Sequence, residues 1–179
     1  MTPRAYLAVL LLSPAVLLTG CLLKQPVAPL KKAVGLAPYL DLQGHVAADA
    51  NTDSVIPFDV VIVSDKKDAQ KIGQMDAETW FGAKGRCNFS EGPKGKVQFH
   101  AWEFVPGQNF HIYLELKGDT AAIYSFAQYS SAGKHRVELT GKSLIIDMGP
   151  EGILTPTPNP SPQKKAPSAP ERLKVCPDD

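Results

Sequence analysis

The chain has 179 residues, 44% of them hydrophobic, with 19 Lys+Arg against 18 Asp+Glu and a formal net charge of +1. That length suits a single domain, and the balance of charge excludes the basic surplus of a nucleic-acid binder and the acidic surplus that would mark a cationic partner. Sixteen prolines, clustered rather than spread, point to tethers and not to a proline-rich core.

The first element is a leader. Arg4 supplies a positive start, Ala5 to Leu18 is apolar apart from Ser13 and Pro14, and the small pair Thr19-Gly20 precedes Cys21. This is secretory-signal architecture, too short to span a bilayer as a helix, so residues 1–20 are expected to be excised. Leu18-Thr-Gly-Cys21 resembles the bacterial lipobox, in which the cysteine is acylated and becomes the first mature residue. Each buried methylene of an acyl chain contributes ~0.8 kcal/mol, so a multiply acylated Cys21 would be a stable anchor. No later apolar run approaches the ~20 residues of a membrane helix. Residues 21–38, with three prolines and three lysines, read as a flexible tether.

A domain over 39–150 follows, and its patterning is all-β. Tyr39 to Val46 alternates loosely, and Phe58-Asp-Val-Val-Ile-Val63 is a β-branched run expected to be central in a sheet or buried on both faces. In Val97 to Phe104, Val97, Phe99 and Ala101 share one face, and His100, Trp102 and Phe104 the other. Phe110 to Leu116 puts Phe110, Ile112, Leu114 and Leu116 on one face. Ala121 to Tyr129, Arg136 to Leu139 and Ser143 to Met148 complete the strands, with turns at Pro106-Gly107, Lys117-Gly118-Asp119, Ala132-Gly133 and Gly141. Short strands punctuated every 8 to 12 residues predict a two-sheet β-sandwich.

Residues 64–96 interrupt that pattern as a partly helical insertion. Ser64-Asp65 can cap a helix through Ile72, and Asp76 stands at an N-cap position before Trp80-Phe81. Trp80 and Phe81 have two readings: packing beneath the insertion as a satellite core, or an interface anchor, because aromatics dominate binding hot spots. Residues 155–170 alternate proline with small polar residues, and 151–179 are expected to form an extended strap. With Cys21 committed to lipid, Cys87 and Cys176 remain as an even pair in an oxidising compartment. A disulfide between them is the expectation, closing a loop of about 90 residues; free thiols or pairing in trans are the alternatives.

Neither a nucleophile elbow nor a phosphate-binding glycine loop is present, and the four histidines His45, His100, His111 and His135 have no metal-ligand spacing. His100 and His111 could face each other across a hairpin as two metal ligands, but a pair of surface sheet histidines is the commoner arrangement. The expectation is therefore a non-enzyme with no cofactor, no metal and no nucleic-acid partner.

Taken together, Leu18 to Cys21, Ala48-Asp-Ala-Asn-Thr-Asp53 leading into Pro57 and Phe58 to Val63, Phe104-Val-Pro-Gly-Gln108 before a strand, and Ala122 to Tyr129 leading to Arg136 resemble the TssJ family. These are the outer-membrane lipoproteins of type VI secretion systems, and the chain reads as a divergent member or a related secretion-apparatus lipoprotein. The resemblance implies a transthyretin-like sandwich held on the periplasmic side of the outer membrane. It also implies a structural role in an envelope complex, binding the periplasmic domain of an inner-membrane secretion component, with the insertion carrying Trp80 and Phe81 as the largest candidate contact surface. Leu22 fits outer-membrane sorting, since an aspartate there is the usual retention signal. The alternative is a stand-alone lipoprotein that binds a small ligand or cell-wall glycan on a face formed by His100, Trp102, His111 and Tyr113.

Overall fold

The structure is a computed structural model that describes residues 39–83, 85–90, 95–116, 118–162, 169–171 and 176. The leader, Cys21 and the tether lie outside the described residues.

Among the described residues, eight strands form two four-stranded sheets. The first has the order β4 (Asn109–Glu115), β1 (Tyr39–His45), β7 (Ser143–Ile145), β8 (Thr157–Pro158). The second has the order β3 (Val97–Phe104), β2 (Ile56–Val63), β5 (Ala122–Ala127), β6 (Arg136–Glu138). Pairing is antiparallel except between β1 and β7, which run parallel with Leu42 opposite Leu144. The all-β sandwich read from the strand patterning is the fold observed.

Two apolar layers follow from strand alternation. Between the sheets, Leu40, Leu42, Phe58, Phe104, Phe110 and Ile112 are almost wholly removed from solvent. Phe58 anchors this layer, its ring centroid lying 5.6 Å from that of Phe104 and 6.1 Å from that of Phe110. On the outer face of the second sheet, Val61, Val63, Val97 and Phe126 pack beneath the helical insertion. β2 is therefore central, paired with both β3 and β5 and covered on both faces, which is why its sequence is nearly continuous in apolar residues.

The insertion contains α1 (Lys66–Ile72), α2 (Ala77–Phe81) and α3 (Cys87–Ser90). Asp65 caps α1, accepting from the backbone N–H of Lys67 at 2.9 Å and Asp68 at 3.1 Å. Asp76 caps α2 by accepting from the Thr79 N–H at 2.8 Å. Hydrogen bonds to the ionised form hold both carboxyls below their ordinary range, from Asp68 foremost at Asp65 and from Thr79 at Asp76.

Two sequence expectations are revised. The strands carrying His100 and His111 are not a hairpin: β3 and β4 belong to different sheets, because the turn at Val105–Gln108 crosses between layers. The sandwich also continues past residue 150. Ile153 bridges Met148, and Thr157–Pro158 forms the edge strand β8 beside Leu144 and Ile145. An edge tolerates Pro158 because its missing N–H is not needed by a further neighbour.

Gly44 in β1 is required by close approach. A Cβ there would lie 1.9 Å from the Ile146 carbonyl oxygen and 2.5 Å from the Phe110 ring. Gly44→Ala is expected to destabilise the domain by ~1–3 kcal/mol, as overpacking does; thermal unfolding checks this, and an unchanged midpoint would contradict it.

Candidate docking surface

The aromatic pair of the insertion divides in two. Trp80 is fully buried, stacked on Phe126 at 4.9 Å between centroids and edge-on to Phe99 at 5.9 Å. Its indole N–H donates to Asp59 Oδ2 at 2.9 Å. Arg86 Nη1 donates to both oxygens of the same carboxylate, at 3.0 and 3.2 Å. Asp59 itself is 0% exposed. A side chain enclosed in this way cannot touch a partner, so the reading of Trp80 as an interface anchor is corrected: it fastens α2 onto the sheet. Phe81 is half-buried, with the Arg86 guanidinium 5.0 Å from its ring centroid.

The polar-aromatic face expected from His100, Trp102, His111 and Tyr113 does not form. Trp102 is 3% exposed and shares its face of β3 with core residues. His111 lies on the outer face of the other sheet, its Nε2 2.6 Å from Asp41 Oδ1, and Tyr113 stacks on Tyr39 at 5.4 Å. Among the described residues, no three His, Cys, Asp or Glu side chains gather as metal ligands.

A different surface emerges at the end of the sandwich where β1, β3, β5 and β7 finish. Four connections meet there: residues 46–55, 105–108, 128–135 and 146–156. The backbone ties them together. Gly107 N–H donates to the Val46 carbonyl at 2.9 Å, Ala47 N–H to Met148 O at 2.8 Å, and Asn51 N–H to Pro150 O at 3.0 Å. Asn51 Oδ1 accepts from the Ser130 N–H at 2.7 Å and from its hydroxyl at 3.1 Å, while Asn51 Nδ2 donates to Val55 O at 3.2 Å. Tyr129 donates its hydroxyl proton to Gly149 O at 3.1 Å and stacks on His135.

This network holds backbone that is unfavourable alone. Asn51, Thr52 and Asp53 have φ of 49°, 54° and 58°, the left-handed region. Asparagine and aspartate visit it readily, but a β-branched threonine does so only where its surroundings impose it. Such strain, of order 1–3 kcal/mol per residue, clusters at functional surfaces. The three exposed large hydrophobics among the described residues all belong to these connections: Val55 at 47%, Val105 at 50% and Leu154 at 55% exposure. The sequence reading missed them. Their signal was apolar residues beside turn formers, in Asp53-Ser-Val55, Val105-Pro-Gly107 and Leu154-Thr-Pro156, where a folded chain has no core to bury them.

No protein-family model and no curated protein sequence matches the chain. Solved structures do match. The type VI secretion lipoprotein TssJ1 from Pseudomonas aeruginosa aligns with a TM-score of 0.55 at 15% identity, over 70% of this chain and 99% of that one. A chain of a type VI membrane complex aligns with a TM-score of 0.52 at 12% identity, over 65% of this chain and 96% of that one. The fold is TssJ-like. At these identities the likeness is one of architecture, and what this chain adds to the TssJ-like sandwich is argued from its own residues.

Burial also makes the loop end of the TssJ-like sandwich alkali-sensitive. Desolvation pushes the Tyr129 phenol from its ordinary 10.0 up to about 12. The folded state thus holds this proton more tightly than the unfolded chain, so the associated stability is present below pH 10 and is lost as pH rises from 10 towards 12. Urea unfolding at pH 9 and 11.5 is expected to show wild type losing about 2 kcal/mol more than Tyr129→Phe. Equal losses in the two proteins would contradict this origin.

Proposed function

We propose that this chain is an outer-membrane-anchored periplasmic lipoprotein of a secretion-system envelope complex. Lipid on Cys21 tethers it, residues 21–38 provide reach, and the four-loop end holds the periplasmic domain of an inner-membrane partner. The observation that carries this reading is the convergence of Val55, Val105 and Leu154 on one rigidly knitted end of a TssJ-like sandwich. The lipobox-like Leu18 to Cys21 supports the anchor. Preorganised loops suit binding because little entropy remains to be lost on docking. Confinement to a membrane surface raises effective concentration, so a modest interface suffices. The role is binding rather than catalysis.

The test is an affinity pull-down from crosslinked native envelopes, comparing wild type with Cys21→Ser. Recovery of a large inner-membrane secretion component, reduced when the anchor is lost, is the expected result. Recovery of lipid, glycan or nothing would overturn the secretion reading.

A further inference from the structure

β3 and β4 are edge strands of different sheets, brought side by side by the stacked rings of Phe104 and Phe110, 4.3 Å between centroids. Three groups line the seam between them: the His111 carbonyl, the Trp102 indole N–H and His100 Nδ1. Residues 169–171 occupy it. The Ala169 N–H donates to His111 O at 2.7 Å, the Ala169 carbonyl accepts from Trp102 Nε1 at 3.0 Å, and the Glu171 carboxylate meets His100 Nδ1 at 3.0 Å. One residue thus supplies both a backbone donor and a backbone acceptor, and a carboxylate two positions on reaches a histidine. Pro170 between them favours the extended chain and leaves no N–H unsatisfied. This is how a sheet edge recognises an extended peptide.

The hold is light, because the His100–Glu171 pair is partly exposed, with side chains 29% and 42% accessible. Such pairs contribute little. The strap is fastened instead by the bond between Cys176 and Cys87 in α3, whose Cα atoms are 5.5 Å apart and whose residues are both half-buried rather than enclosed.

We propose that the β3–β4 seam is a peptide-binding groove whose resident ligand is the chain's own Ala169-Pro-Glu171, and that the Cys87–Cys176 disulfide decides whether the resident stays. A dithiol reductant opens it. Its thiolate attacks one sulfur of the bond to give a mixed disulfide, which its second thiol resolves. The reductant leaves as a disulfide, having passed two electrons and two protons to Cys87 and Cys176. The groove then accepts an extended peptide of the same chemistry, an x-Pro-Glu segment, while the sandwich stays folded. None of this rests on the secretion reading.

The experiment uses the full chain, oxidised or treated with dithiothreitol, with amide exchange read by NMR. A synthetic peptide copying residues 167–172 and bearing a photo-crosslinker is the probe. On reduction, exchange at Ala169 is expected to rise on the order of tenfold or more while β2 amides keep their protection. The probe is expected to crosslink to β3 and β4 only in the reduced protein. The Cys87→Ser/Cys176→Ser variant should behave as the reduced protein does. Unchanged exchange at Ala169 would overturn the proposal. So would loss of protection in β2 alongside it, which would make the disulfide a fastening of the whole fold, or failure of the probe to crosslink once the strap is free.

Discussion

Asp59→Ala is expected to destabilise the domain by ~3–5 kcal/mol, the cost of removing one partner from a buried ion pair. The carboxylate side chain is 1% exposed and the Arg86 side chain 15%. Its loss strands the guanidinium above an apolar sheet face and leaves the Trp80 indole N–H without the acceptor it has at 2.9 Å. The unpaired charge, not the missing attraction, dominates that cost. Replacing Arg86 with methionine in the Asp59→Ala background is therefore expected to recover part of the loss, since two apolar groups bury at little penalty where one charge cannot. Urea denaturation of the two single variants and the double variant closes the cycle. A cost below about 1 kcal/mol for Asp59→Ala, as at an exposed pair, would mean that the insertion is not fastened through this residue.

The second large effect is on binding. If the loop end holds the proposed inner-membrane partner, Val55→Asp with Leu154→Asp is expected to weaken that capture at least tenfold, about 1.4 kcal/mol or more, because each carboxylate must be desolvated on docking. The domain itself should hardly notice. Both side chains are about half exposed in the free protein, and substitutions at such positions usually move stability by no more than about 0.5 kcal/mol. Surface-immobilised binding alongside thermal unfolding separates the two. Phe81→Ala is the control at the insertion and is expected to leave capture intact. Undiminished capture by the loop-end variant, with loss in Phe81→Ala, would return the interface to the insertion.

Much of this molecule is legible in local pattern. The run Phe58 to Val63 marks β2 as a strand covered on both sides, because only a central strand can bury consecutive side chains. Alternation in Phe110 to Leu114 marks the core face of β4 correctly, and Asp65 and Asp76 mark where α1 and α2 begin, since a helix start needs an acceptor for its first N–H groups. These features depend on neighbours a few residues apart, and the sequence holds them directly.

Other features depend on residues far apart in the chain. Strand patterning shows the core face of β4, but not that the Trp102 face of β3 turns into the core, nor that the turn between the two strands crosses from one sheet to the other; the histidine pairing and the polar-aromatic face fell with those distinctions. The sequence reading did not single out Asp59, because its partners, Trp80 and Arg86, lie 21 and 27 residues on and meet it only when the insertion folds back over the sheet. The left-handed backbone at Asn51–Asp53 is held by Ser130 and Pro150 from two other connections. Short-range chemistry alone thus accounts for strands β1 to β7, the buried faces of β2 and β4, and the starts of α1 and α2. That Trp80 is a fastening inside the molecule, and that Val55, Val105 and Leu154 share one exposed end, follows from long-range packing, because burial and convergence are not local properties.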